Sequence, residues 1–337
     1  MKAIGFTAPH PIDAPEALLD LDLPTPVLRP RDLLVRVEGV SVNPADVKIR
    51  ASATPPAGEP RILGFDAVGT VEAVGPEVSL FRPGDAVFYA GAIDRPGSNA
   101  ELQAVDERIV GRRPKSLTTA EAAALPLTAI TAWELLFDRL RVPYGVKAPG
   151  GALLIVNGAG GVGSILIQLA RKLTGLTVIA TASRPETVAW VEAMGAHHVI
   201  DHRGKLDEEL RRIGIPEVQY VAGLTGTEQH LPAIINALAP QGALALIDDP
   251  DVLDIAPMKR KSLSVHWELM FTRPLFTTQD MIRQHHLLNE VADLVDAGVL
   301  RTTVKEDLGP ITAANLRRAH RLVESGRSIG KAVLTGF

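Results

Sequence analysis

The chain has 337 residues, of which 46% are hydrophobic and 22% charged, and its formal net charge at pH 7 is −4. This is the composition of a globular protein, and the length exceeds what one core usually serves, so we expect two domains. The mild acidity argues against a protein that binds nucleic acid or a membrane surface through a basic field. The sequence shows neither an apolar run of about 18 residues nor a signal-peptide pattern, which predicts a cytoplasmic protein without membrane spans.

The sequence contains no cysteine. This excludes disulfides, a thiolate nucleophile and a zinc site built on sulfur. Any zinc would depend on histidine and carboxylate ligands alone.

The first third of the chain, to about residue 120, predicts short strands separated by Pro and Gly. Residues 33–40 alternate in polarity and are rich in branched side chains, and residues 64–75 and 85–89 have the same character. A turn at residues 82–85 separates the last two segments. The density of strands predicts a small β-barrel-like domain.

From residue 151 onward, apolar strands alternate with helices. The predicted strands cover residues 152–156, 177–181, 198–200, 218–222 and 243–247. The predicted helices cover residues 163–173, 185–194 and 231–238. This order predicts an α/β domain with a parallel sheet that is covered on both faces.

The tail of the chain predicts helices over residues 281–297 and 313–324 and a last strand at 331–334. The β–α alternation stops after residue 247, and the last strand has no place in a six-stranded parallel order. We therefore predict a nucleotide-binding domain over residues 124–263, with residues 1–123 and 264–337 forming the other domain.

A glycine motif, Gly158-Ala159-Gly160-Gly161-Val162-Gly163, follows strand 152–156 and opens the next helix. It matches G-x-G-x-x-G, in which the glycines allow a tight turn, close approach of a pyrophosphate, and helix–strand packing. Free N–H groups at the helix start would hold the anion. A bare glycine-rich turn is the alternative, but the strand and helix around the motif favour a dinucleotide site. The predicted cofactor-binding residues of this motif are Gly158, Gly160, Gly161, Val162 and Gly163.

The end of the second strand of this unit indicates the coenzyme. An NAD site usually has Asp or Glu there, whereas residues 177–184 contain neither and end in Ser183-Arg184. A guanidinium attracts a 2′-phosphate and can bind it bidentately, so we predict NADPH. His202 is predicted beside the same phosphate. The alternatives are that Arg184 is a solvated residue before the helix at Pro185 and that His202 is an ordinary surface histidine.

Three segments in the first domain complete the pattern. Residues 43–48, Asn-Pro-Ala-Asp-Val-Lys, are similar to an N-P-x-D-x-K segment. Residues 64–75 are similar to a G-H-E sequence followed by a glycine-spaced strand. Residues 81–87 are similar to an F-x-x-G-D-x-V turn. With the glycine motif, they resemble the medium-chain dehydrogenase/reductase superfamily, quinone oxidoreductase branch. The resemblance extends to residues 330–333 and is greatest to the zinc-type alcohol dehydrogenase-like group. It implies a Rossmann-type parallel sheet with a GroES-like β-barrel catalytic domain.

The resemblance does not extend to the metal ligands. In zinc-dependent relatives a Cys stands at the position of Asn43, a His at that of Phe65, and a third ligand near Leu127. The lobe that carries four structural cysteines in those enzymes is also missing, since residues 93–103 contain no Cys. We predict that the protein holds no zinc.

Without a Lewis acid, a simple ketone or alcohol is a poor substrate. In a quinone or an α,β-unsaturated carbonyl compound, hydride addition spreads charge onto a phenolate or enolate oxygen, which hydrogen bonds can stabilise. The nicotinamide supplies the hydride, and the protein orients it. We therefore predict an NADPH-dependent, zinc-independent reductase of such acceptors.

The resemblance also implies roles for single residues. It places Asn43 near the nicotinamide and the substrate oxygen, and Lys48 where some relatives have a Tyr that could donate to the oxyanion. Lys48 is alternatively an exposed, solvated side chain, and Asp46 either orients Lys48 or caps the following helix. Thr131 matches a threonine that touches the cofactor, although a helix-interior Thr can instead bond its own backbone. Lys331, in the last segment of the chain that shares the resemblance, is also predicted to bind the cofactor.

Relatives pair their dinucleotide-binding sheets edge to edge at about residues 262–268, which predicts a homodimer. The aromatic run at 266–271, with Phe276, could alternatively line a substrate pocket. Two other functions stay open, a zinc-free alcohol dehydrogenase or carbonyl reductase, and an NADPH-binding structural, sensor or RNA-binding protein with little turnover. The net charge of −4 and the lack of a basic stripe with interleaved aromatics weigh against RNA.

Overall fold

The computed structural model describes residues 1–148 and 150–337. The chain divides into two compact units, one formed by Met1–Ile130 with Phe271–Phe337 and the other by Thr131–Met270. The limits expected from the sequence, 123/124 and 263/264, both fall earlier. The expected limit at 123/124 followed a change in amino-acid composition. The expected limit at 263/264 would separate the sixth strand of the middle sheet from the strand with which it pairs.

The N-terminal part of the first unit consists mainly of antiparallel strands. They are β1 (Lys2–Phe6), β2 (Leu19–Asp22), β3 (Asp32–Ser41), β4 (Arg61–Ile62), β5 (Ala67–Val74), β6 (Ala86–Tyr89), β7 (Leu102–Asp106) and β8 (Val110–Arg112). The helices of this part are α1 (Pro44–Ser52), α2 (Thr119–Ala123) and the first five residues of α3 (Pro126–Trp133), whose last three residues belong to the middle unit. Helix α2 begins at a capping box in which Thr118 Oγ1 accepts from the N–H of Glu121 and the Glu121 carboxylate accepts from Thr118 N–H.

The middle unit alternates strands and helices. Its strands are β9 (Ala152–Val156), β10 (Thr177–Thr181), β11 (His198–Ile200), β12 (Val218–Gly223), β13 (Leu238–Leu246) and β14 (Ser264–Trp267). Its helices are α4 (Gly161–Leu173), α5 (Pro185–Met194), α6 (Leu206–Arg212) and α7 (Thr227–Ala237), and a π-helix covers Glu134–Arg139.

The six middle strands form one parallel sheet in the order β11-β10-β9-β12-β13-β14. This is the doubly wound Rossmann order, in which the chain reverses direction across the sheet between β9 and β12. Strand side chains such as Leu154 and Val221 and helix side chains such as Leu206 and Ile234 share one buried core. The apolar strands predicted from the sequence therefore form the expected parallel sheet.

The tail of the chain returns to the first unit. It contains α8 (Thr272–Leu275), α9 (Arg283–Asp296), α10 (Ala313–Glu324), β15 (Val304–Asp307) and β16 (Lys331–Thr335). The larger sheet of this unit has the order β15-β16-β3-β5-β6-β8, with β7 also paired to β3. The smaller sheet has the order β2-β1-β4. Over residues 1–148 and 150–337, every helix is too short or too polar to cross a membrane.

Candidate functional site

The glycine loop of the middle unit joins β9 to α4. A Cβ at Gly158 would lie 2.7 Å from the Ala180 Cβ, and a Cβ at Gly163 would lie 2.5 Å from the Gly158 carbonyl oxygen. Both distances are shorter than real Cβ contacts, so the packing of the loop against the following strand and of α4 against the loop requires these two glycines. Their spacing in the sequence therefore has a structural cause.

Gly160 is different. Its φ of −71° is open to any residue, and an added Cβ would meet nothing nearer than Asn157 Nδ2, at 3.2 Å, the end of a flexible side chain. Neither the backbone conformation nor the packing of the chain explains a glycine here. Gly160 is also the N-cap of α4 and brings no side chain to cap it. A small residue beside an uncapped helix N-terminus fits a bound pyrophosphate, which Gly161, Val162 and Gly163 would face through their N–H groups.

The residues predicted to contact the 2′-phosphate follow two neighbouring strands. Ala182 N–H donates to the Ile200 carbonyl at 3.0 Å, so the segments after β10 and β11 lie side by side at the carboxyl edge of the sheet. Arg184 is the N-cap of α5, and its Nε lies 3.0 Å from Oε1 of Glu186. Ser183 precedes it and is partly exposed. The Arg184 guanidinium thus has a carboxylate partner, and its contact with a 2′-phosphate stays a prediction.

His202 lies just beyond β11 and is partly buried. Its Nδ1 is buried and makes no hydrogen bond with the described residues. Burial, followed by the charge of the nearby His202, lowers the pKa of His230. A polar atom without a protein partner at the end of a strand is consistent with a ligand contact at this edge.

Thr131 lies in α3 and is almost completely buried. It is the first residue of the middle unit, and its predicted contact with the cofactor stays a prediction.

The first unit contains a buried polar cluster around Asn43. Asn43 Nδ2 donates to Asp66 Oδ2 at 2.8 Å, and Lys331 Nζ donates to Asn43 Oδ1. Lys331 Nζ also lies 3.1 Å from Asp66 Oδ2. The structure therefore brings together two residues predicted from the sequence, Asn43 and Lys331, and a third that was not predicted, Asp66. Asp66 occupies the acidic position of the G-H-E signature, which was the signal that could have identified it.

Asp46 caps helix α1. Its Oδ2 accepts from Asn43 N–H at 2.9 Å and its Oδ1 from Gly64 N–H at 2.8 Å. Burial raises the pKa of Asp46 to about 7, against the opposing effect of these two N–H groups. Of the two roles expected for Asp46, the structure shows the helix cap. Lys48 lies one turn into the same helix on an exposed face.

The positions that bear zinc ligands in relatives carry other chemistry. Asn43 is engaged as described, Phe65 packs edge to face on Phe271 with ring centroids 5.0 Å apart, and Leu127 offers Asp66 only its backbone N–H. An amide, a phenyl ring and an isobutyl group do not fit the ligand set of zinc. Within residues 1–148 and 150–337, no group of three or more His, Cys, Asp or Glu could hold a metal ion.

Comparison with known proteins agrees with this architecture. The family described as alcohol dehydrogenase GroES-like domain matches residues 29–117, and that described as zinc-binding dehydrogenase matches residues 194–334. A zinc-type alcohol dehydrogenase-like protein of Staphylococcus aureus is 40% identical over 336 residues, covering 99% of each chain. The chain belongs to the medium-chain dehydrogenase/reductase superfamily.

Solved structures show the same relationship. A Rhizobium etli CFN 42 protein, described as a zinc-dependent alcohol dehydrogenase protein, is 56% identical to this chain. The match has a TM-score of 0.95 and covers 100% of this chain and 98% of the Rhizobium chain. A quinone oxidoreductase of Pseudomonas syringae pv. Tomato DC3000 is 26% identical, with a TM-score of 0.83 over 99% of both chains. This member of the superfamily is an oxidoreductase of the nicotinamide-dependent type, with a Rossmann-type sheet and a GroES-like domain.

Proposed function

We propose that this oxidoreductase is an NADPH-dependent, zinc-independent reductase of quinones or α,β-unsaturated carbonyl compounds. The observation that carries the proposal is the donor set around Asn43. At the positions of the zinc ligands in relatives, the chain offers a hydrogen-bonding amide beside a buried ion pair. Hydrogen bonds suffice for an oxyanion whose charge is already delocalised, as in an enolate or phenolate.

The choice of NADPH rests on the carboxyl edge of the middle sheet. Arg184 and Ser183 follow β10, His202 follows β11, and no carboxylate stands in residues 177–184 to receive a free 2′-hydroxyl. A guanidinium at this place favours a 2′-phosphate. The named quinone oxidoreductase neighbour supports the class of acceptor.

The residues of the chain have separate tasks in this proposal. The N–H groups at the start of α4 bind the pyrophosphate, and Arg184 binds the 2′-phosphate. Asn43 donates its amide hydrogen to the acceptor oxygen, with Lys48 as a second donor. The bound nicotinamide supplies the hydride.

We also propose a homodimer formed through β14. This strand ends the six-stranded sheet, so its outer edge has no partner strand among the described residues. Trp267 and Leu269 are 54% and 51% exposed at and just beyond this strand. An exposed strand edge with large apolar side chains is normally covered by a partner. A cytoplasmic location stays a prediction from the sequence.

A turnover screen tests the proposed reaction. Purified protein is given NADPH or NADH together with quinones, enones or saturated ketones, and the loss of nicotinamide absorbance is followed with and without a chelator. We expect NADPH oxidation with quinones or enones that the chelator does not change. Reduction of saturated ketones alone would indicate a carbonyl reductase, and chelator-sensitive turnover would contradict the zinc-independent reading. NADPH binding without any turnover would indicate a binding protein.

A further inference from the structure

Asp66 and Lys331 form an ion pair that is almost completely withdrawn from water. Their side chains are 0% and 4% exposed, and Lys331 Nζ lies 3.1 Å from Asp66 Oδ2. Removing two charges from water is costly, and such a pair persists only when further hydrogen bonds satisfy both groups. The partners of the pair therefore indicate what it holds in place.

Each charged group has several partners. Besides Asn43 Nδ2, Asp66 accepts from Ser41 Oγ at 2.6 Å and from Leu127 N–H at 2.7 Å. Lys331 Nζ donates to the Val42 carbonyl at 3.0 Å and to Asn43 Oδ1. The Asp66 carboxylate provides the third oxygen beside the ammonium, as its ion-pair partner.

The pair determines how the Asn43 amide is turned. Its oxygen faces the ammonium of Lys331 and its nitrogen faces the carboxylate of Asp66, and the reverse orientation would place like partners together. One Nδ2 hydrogen is used by Asp66. Among the described residues, the second Nδ2 hydrogen has the Phe65 carbonyl as its acceptor. The distance from Asn43 Nδ2 to the Phe65 oxygen is 3.5 Å, which is long for an N–H···O bond. The ammonium on the amide oxygen also polarises the group and strengthens it as a donor.

We propose that Asp66 and Lys331 are positioning residues, which hold Asn43 as a hydrogen-bond donor to the acceptor oxygen of the ligand. The inference rests on the proposed function, because it assigns the ligand oxygen to a quinone or enone. It moves Lys331 from the cofactor-binding role expected from the sequence to a role exerted through Asn43. An amide fixed in this way can donate to an oxyanion but cannot turn to accept from a hydroxyl.

A pair of matched variants separates positioning from stability. Lys331→Met leaves the buried carboxylate of Asp66 without its cation. The control, Arg95→Met, removes the cation of another buried carboxylate, that of Asp32. Asp32 is 1% exposed, and its Oδ2 lies 2.7 Å from Arg95 Nη2. Both variants should unfold at lower urea concentration than the wild type. We expect only Lys331→Met to lower kcat for quinone or enone reduction, on the order of 10- to 100-fold, with KM for NADPH nearly unchanged. Equal losses of kcat in the two variants would overturn the proposal.

A double-variant cycle tests whether Lys331 acts through Asn43. In an Asn43→Ala background, Lys331→Met should change kcat by less than about twofold, because the group that it positions is already gone. Additive losses would mean that Lys331 acts independently of Asn43.

A third measurement does not need turnover. In protein labelled with ¹⁵N in asparagine side chains, the Asn43 amide signals are assigned by their loss in Asn43→Ala. We expect two well-separated, slowly exchanging protons in the wild type, and faster exchange in Lys331→Met but not in Arg95→Met. If the wild type reduces no acceptor, the proposed function fails, whereas unchanged amide signals in Lys331→Met would refute the positioning role itself.

Discussion

His320 makes the protein sensitive to acid in a way that can be measured. It lies in α10, is 0% exposed, and neither ring nitrogen has a hydrogen-bond partner among the described residues. Burial, with a smaller effect from the Arg50 guanidinium, lowers the pKa of His320 to about 3. Arg50 itself is held by Glu324 and by the His10 carbonyl, so the cation stays beside the ring.

The sign of the effect follows from the two states. An unfolded histidine titrates at the ordinary value of 6.5, whereas the pKa of His320 in the folded protein is about 3. Between these values the unfolded state binds more protons, so the free energy of unfolding falls as the pH is lowered. At about 1.36 kcal/mol per pH unit, His320 removes about 2.7 kcal/mol of stability by pH 4.5 relative to neutral pH.

Replacing His320 with Leu should remove this loss. Urea unfolding is measured at about pH 7.5 and pH 4.5, and the difference in unfolding free energy between the two pH values should be smaller in His320→Leu by about 2.7 kcal/mol. At the higher pH the variant should be at least as stable as the wild type, because two unbonded nitrogens leave the interior. The control is His286→Leu on the exposed face of α9, which should change the pH dependence less than His320→Leu does, because it removes no buried imidazole. An unchanged pH dependence in His320→Leu would refute the reasoning.

Three further predictions concern the middle unit. Arg184→Ala should raise the Kd for NADPH about ten- to hundredfold and leave the Kd for NADH unchanged. The increase should be smaller at high salt. Glu186→Gln should instead lower the Kd for NADPH about two- to fivefold, because it releases Arg184 from its ion pair. Equal effects on both coenzymes, measured by titration calorimetry, would contradict a 2′-phosphate contact. Gly160→Ala should leave the melting temperature unchanged and weaken NADPH binding about tenfold. Gly163→Ala should instead lower the melting temperature. A lower melting temperature for Gly160→Ala than for Gly163→Ala would argue against a ligand at Gly160. Trp267→Glu should convert the proposed dimer into monomers in light scattering, and an unchanged mass would place any dimer contact elsewhere.

Local sequence patterns were sufficient for the elements whose burial is continuous. The wholly apolar strand at 152–156 and the glycine motif after it are visible without any contact information, and the structure has β9 at the same residues. Helix α4 begins at Gly161 rather than at the predicted residue 163, because the last glycine packs inside the helix rather than before it.

Contacts between distant segments were not visible in this way. Lys331 and Asn43 are 288 residues apart, and nothing in either segment alone shows that an ammonium will face an amide. The sequence motif places Asp66 at the acidic position of a G-H-E signature, but it does not show that three other segments converge on the carboxylate. Similarly, β14 has a short and mixed sequence, Ser-Val-His-Trp, so its place in the middle sheet depends on its pairing with β13.

The pairing of β16 with β3 also determines the order in which the two units can form during synthesis. The middle unit is one continuous segment, Thr131–Met270, and all of it can leave the ribosome before the tail is made. The first unit cannot pair β16 with β3 until β16, which follows the whole middle unit in the chain, has been made. A chain that stops before Lys331 therefore contains the whole of the middle unit but leaves Asp66 without its cation. The unit that contains Asn43 is thus the later of the two to be completed.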